Sequence, residues 1–173
     1  MPSSWDGASH PGVQHWFANS TSHPALHSAM IFGSYSHRRT RWLMKRQGYF
    51  SAEDMRQMAL CEAAVIDQIN AILPDTYQAV CDAVILSVLC MATNRYDGTE
   101  YQDKKSNFHA PLRSLQWLDV YGRLSPNPVH QAGLIQLVYL RGGLEKIEIP
   151  GLAAVISLYD YPSLSCSNCI ISY

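Results

Sequence analysis

The sequence predicts an all-α fold, an irregular helical bundle of about five helices, on three observations. Met55, Met58, Glu62, Val65, Ile66, Ile69 and Leu73 recur at spacings of three and four, with Glu62 as the one polar break, the period of a helix face. Ala79 to Ala92 is apolar apart from Asp82 and Ser87, which marks a central helix buried on all sides. Between such stretches stand residues that start and stop helices: Pro24, Ser51, Asn127-Pro128 and Gly142-Gly143.

The elements follow in order. Residues 1–22 are rich in Pro, Gly and Ser and lack a steady period, so they are expected to form a loose lead-in. A helix begins at His23, with Pro24 where its missing N–H is not needed, and ends in a basic stretch closed by Gly48. Ser51 caps the next, whose first-turn Glu53 and Asp54 suit the positive end of the helix dipole. Pro74-Asp75 ends it, and Thr76 is expected to cap a third helix running to about Thr93. Leu112, Leu115, Trp117, Leu118 and Tyr121 suggest a short helix ending at Gly122. Asn127-Pro128 opens another, which must stop at Gly142 or Gly143, because glycine takes a left-handed backbone without a Cβ clash. One of these glycines is expected at positive φ, the other to tolerate valine better. Pro150 starts a last short helix, and residues 161–173 read as an unpatterned tail. The domain proper is thus residues 23–160.

The chain has 173 residues, enough for one domain with a real core. Charged residues make up only 16% against 47% apolar ones, so part of the apolar surface is expected to be covered by a partner or by more of the same protein. The net charge of −1 gives no overall field to hold a polyanion. Its distribution is uneven: no acid lies between Asp6 and Glu53, a gap that holds Arg38, Arg39, Arg41, Lys45 and Arg46. This cluster has three readings: the solvated end of a helix, a nuclear-localisation patch, or a phosphate-contacting surface with Trp42 as a stacking residue.

Five cysteines, an odd and scattered set, fit a reducing compartment rather than a disulfide scaffold. Cys61, Cys81 and Cys90 lie in apolar helical stretches and behave there as small hydrophobes. Cys166 and Cys169 form a CxxC with no second pair to complete a zinc site. His23 and His27 share a helix face, but Pro24, Ala25 and Leu26 stand where a zinc protease has its glutamate. No P-loop, dinucleotide fingerprint or nucleophile elbow occurs. No cofactor, metal or catalytic residue is therefore assigned, and the chain is expected not to be an enzyme. The most apolar run is too short to span a bilayer, so no membrane partner is expected.

Pro111-Leu112-Arg113-Ser114-Leu115-Gln116-Trp117-Leu118-Asp119-Val120-Tyr121-Gly122 is followed by Val129-His130-Gln131-Ala132-Gly133-Leu134. Then come Leu137-Val138-Tyr139-Leu140-Arg141-Gly142-Gly143-Leu144 and Gly151-Leu152-Ala153. This set resembles the fungal-specific transcription factor domain, the helical regulatory half of fungal zinc-cluster regulators. There, a helix with a leading His and a Leu-Val pair ends in Arg-Gly-Gly-Leu, and Gly-Leu-Ala opens the next. Asp160 matches a frequent acidic position, and His23-Pro24-Ala25-Leu26-His27-Ser28-Ala29-Met30 resembles the family's early helix. The likeness spans residues 23–160 and is most specific at Arg141, Gly142, Gly143 and Leu144.

The resemblance implies a nuclear, non-enzymatic regulatory or effector module that works through protein contacts or a small-molecule cavity. Its partners would be other proteins or the remainder of a regulator. The six-cysteine DNA reader of that family is not in this sequence, so direct specific DNA binding is not carried over, and a truncated gene model, a fragment or a degenerate copy is the expectation. The alternative is a free-standing helical interaction module with no transcriptional role, located in the cytoplasm.

Overall fold

The computed structural model describes residues 11–45, 48–94 and 126–164. Among these the chain is all-α, with seven α-helices, somewhat more than the five expected. They are α1 (Pro11–Ser22), α2 (Pro24–Lys45), α3 (Ala52–Ile72), α4 (Thr76–Ala79), α5 (Asp82–Thr93), α6 (Pro128–Arg141) and α7 (Leu152–Leu164). A 3₁₀ turn, Leu144–Lys146, lies between the last two. The expected helix through Leu112–Tyr121 lies outside the described residues.

The start of α3 is the strongest local signal. Ser51 Oγ accepts the Asp54 N–H at 3.0 Å while Asp54 Oδ2 accepts the Ser51 N–H at 2.9 Å, a reciprocal capping box. At α6, Asn127 Oδ1 accepts the Val129 N–H at 3.1 Å, and Pro128 occupies the first helical position.

Three expectations are corrected. Pro11–Ser22 is a helix rather than part of a loose lead-in, and Trp16 Nε1 donates to the Pro150 carbonyl at 3.0 Å. The third helix is split: Asp75, not Thr76, caps the short α4, and the chain breaks at Val80-Cys81 before α5 begins. The last helix starts at Leu152, after a left-handed Gly151, and continues through Leu164 into what was read as tail.

The core sits around α5, whose residues from Asp82 to Leu89 are all buried. Val84, Val88 and Leu89 retain 2%, 7% and 3% of their surface, as a central helix requires. On one side α5 packs with Leu26 of α2, Leu134 and Leu137 of α6, and Leu152 and Ile156 of α7. On the other, Met91 joins Ala29 and Phe32 of α2 and Val65 of α3. α2 is thus shared between the two halves of the core, and α3 leans chiefly on α2 while α6 leans on α5.

Candidate functional site

Arg141, Gly142, Gly143 and Leu144 form a structural corner. The N–H of Gly142 donates to the Tyr139 carbonyl and that of Gly143 to the Val138 carbonyl, each at 3.0 Å, so two of the carbonyls freed at the end of α6 are satisfied. Both glycines are at positive φ, +100° and +103°, where one was expected. Gly142 is left-handed helical, with ψ 20°. Gly143, with ψ 172°, lies in a region that only glycine occupies. Leu144, half-buried against the core, then opens the 3₁₀ turn.

Arg141 points across this corner. Its Nε donates to the Lys146 carbonyl at 3.2 Å, and its Nη2 lies 3.4 Å from Asp82 Oδ1 and 3.8 Å from the exposed Glu148. Asp82 is the buried centre of the arrangement. Its Oδ2 accepts the N–H groups of Glu148 at 2.6 Å and Ile149 at 2.8 Å. Its Oδ1 is paired with Arg141 by charge, without hydrogen-bond alignment. The sequence shows Asp82 only as a polar break in an apolar run; the break before it, at Val80-Cys81, places this carboxylate in the first turn of α5, facing the 148–149 backbone.

The basic cluster is less free than five charges in a row suggest. Arg38 pairs with Asp54 at 3.1 Å, and its guanidinium lies 5.6 Å from the Tyr35 ring centre and 5.9 Å from that of Phe50. The Ser51 hydrogen bonds, with smaller help from Arg38, hold the Asp54 carboxyl below its ordinary value. Arg39 is half-buried and Arg41 exposed. Arg41 and Arg38 border a shallow recess with Gly48 and the exposed Tyr49. Lys45 ends α2, Trp42 is half-buried, and Arg46 lies outside the described residues. Burial, and then Arg41, lower the pKa of His37 beside them.

A further feature, whose place the sequence does not give, lies between α3 and α6. It is a hollow of about 360 Å³, open to solvent. Val65, Ile66, Ile69 and Leu73 of α3 form one wall, Val88 and Met91 of α5 the floor, and Val129, Gly133, Leu137 and Leu140 of α6 the other wall. Asn70, His130 and Gln136 are its polar members. The α3 stripe is legible as an apolar face, but its separation from α6 is not. The one available sign was Gly133, a glycine inside a helix with no cap to make.

His23, at the start of α2, is half-buried and His27 exposed. Among the described residues no three His, Cys, Asp or Glu side chains come together as a metal site. Cys61, Cys81 and Cys90 are free thiols, and burial pushes that of Cys90 up to about 12. Cys166 and Cys169 lie outside the described residues. No described helix is long and apolar enough to cross a membrane. No protein-family model, curated protein or solved structure matches this chain.

Proposed function

We propose that this chain is a non-enzymatic regulatory or effector module of the kind found in fungal zinc-cluster transcription factors, without their DNA reader. It acts in the nucleus, through contacts with other proteins or with the remainder of a regulator. The observation that carries the reading is the corner at Arg141-Gly142-Gly143-Leu144. The segment on which the resemblance is most specific is also one with a strict backbone requirement, met by two glycines and braced by Arg141 on Asp82. Support of a second kind comes from apolar side chains left in solvent on α3 and α6, among them Leu60 at 52%, Val129 at 75% and Tyr139 at 79%, which suit a contact surface.

The test is a fusion of the whole chain to an unrelated DNA-binding domain in a fungal reporter strain. The expected result is activation or repression of the reporter, lost when Gly143→Val collapses the corner. A fusion that accumulates in the nucleus, folds and leaves the reporter unchanged overturns the reading in favour of a free-standing interaction module. The chain alone is expected to give no sequence-dependent band shift at physiological salt, because a cluster partly spent on Asp54 offers only salt-sensitive phosphate contacts.

A further inference from the structure

We propose that the hollow between α3 and α6 is a binding site for a small uncharged molecule with a largely apolar body and a hydrogen-bonding group. Its volume, about 360 Å³, lies within the range of small-molecule sites, roughly 300–1,000 Å³. Its walls are aliphatic, and among the described residues no Lys, Arg, Asp or Glu lines it. A charged ligand would lose its hydration there without gaining a partner. The polar groups come from facing walls, Asn70 from α3 and His130 and Gln136 from α6, and suffice to orient one polar end of a ligand. Burial holds the His130 imidazole below its ordinary pKa, with Glu62 opposing, so the ring offers one donor and one acceptor at neutral pH.

Gly133 argues that this space is kept, not left over. A glycine inside a helix costs about 1 kcal/mol relative to alanine. The usual compensation is a close approach of another backbone, and among the described residues there is none: a Cβ built on Gly133 meets nothing within 4 Å beyond its own helix. Gly133 is not at positive φ either, so no turn requires it. What the missing side chain provides is room in the α6 wall of the hollow. A leucine at this position is compatible with the helix and would fill it.

The inference deepens the regulatory reading by giving a place and a ligand class to a small-molecule cavity, but it is argued from the geometry of the hollow, so a silent reporter and a failed titration are separate results. The probe is N-phenyl-1-naphthylamine, an uncharged aromatic amine whose fluorescence rises on leaving water. Titrated into the full chain, it is expected to bind saturably at one site. Gly133→Leu should weaken that binding at least about tenfold, equivalent to about 1.4 kcal/mol, while the thermal midpoint holds or rises. Leu140→Trp, at the 52% exposed rim, should obstruct the same site without touching the floor. Ile135→Ser, on α6 outside the hollow, should bind as wild type. A wild-type chain that gives no saturable signal overturns the proposal and assigns the hollow to the chain's own residues or to a second copy. So does a probe that binds equally well to Gly133→Leu and Leu140→Trp.

Discussion

Removing the Asp82 carboxylate is the sharpest perturbation of this fold. Asp82 keeps 8% of its surface and serves three groups at once: the Glu148 and Ile149 N–H groups through Oδ2, and the Arg141 guanidinium through Oδ1. Asp82→Ala leaves two backbone donors, one of them buried, and a mostly buried arginine without their acceptor. Hydrogen bonds to a charged group contribute about 1.5–3 kcal/mol each, and breaking a buried ion pair from one side costs about 3–5 kcal/mol. These terms overlap, so the expected loss is about 3–5 kcal/mol, a large part of the roughly 5–15 kcal/mol that holds a domain together. Asp82→Asn keeps a carbonyl oxygen for the N–H groups and removes only the charge, so its loss should be smaller, about 1–3 kcal/mol. The assay is equilibrium urea unfolding followed by far-ultraviolet circular dichroism, with the slope unchanged and the midpoint lowered. An alanine variant within about 1 kcal/mol of wild type, or one no worse than the asparagine variant, refutes the role given to the carboxylate.

The two corner glycines should respond differently. Gly142→Asn should cost less than about 1 kcal/mol because asparagine tolerates the left-handed helical region, whereas Gly143→Ala should cost about 1–3 kcal/mol; thermal melts in which the order is reversed would contradict the backbone argument. Leu89→Asp places an unpaired charge at a site with 3% exposure and should abolish the cooperative unfolding transition. Burial lowers the pKa of both His37 and His130, so the folded chain binds these protons more weakly than the unfolded one. Stability should therefore fall as pH drops through about 6.5, levelling once the lowered folded values are passed, and replacing both by Gln should flatten the urea midpoint between about pH 7.5 and 5.

The parts of the fold that read correctly from sequence are those governed by neighbours in the chain. The Ser51 cap, the Asn127-Pro128 start and the glycine stop at Gly142-Gly143 are local devices, each satisfied within a few residues, and each is found where the sequence places it; that Asp54 answers Ser51 in a capping box is seen only in the structure. The misread parts are held from a distance. Helix α1 looks unpromising because of its composition, yet Trp16 is tied to Pro150, 134 residues away. The break before α5 has no local signature, since Cys81 makes no side-chain cap. Which groups Arg141 meets depends on α5 and the 148–149 backbone coming together, far apart in the chain. The hollow depends on an inter-helix distance, which no one-dimensional pattern encodes.

The same contacts explain why one wall of the hollow has a fixed position. At its start, α6 is attached to the far end of α5, because the Asn127 N–H donates to the Ala92 carbonyl at 2.9 Å. At its finish, Arg141 reaches Asp82 in the first turn of α5. Helix α6 is therefore clamped antiparallel along α5 at both ends, with Leu134 and Leu137 buried between the clamps. Among the described residues helix α3 has no such polar clamp to α5 or α6; it is placed chiefly by α2, through Val65 and Phe32 and the Arg38–Asp54 pair, with Val65 also meeting Met91 of α5. Floor and one wall are thus tied together at both ends of α6, while the opposite wall is placed chiefly through α2. A molecule seated between them would bridge the two halves of the core, so its binding would register in how α3 sits relative to α6.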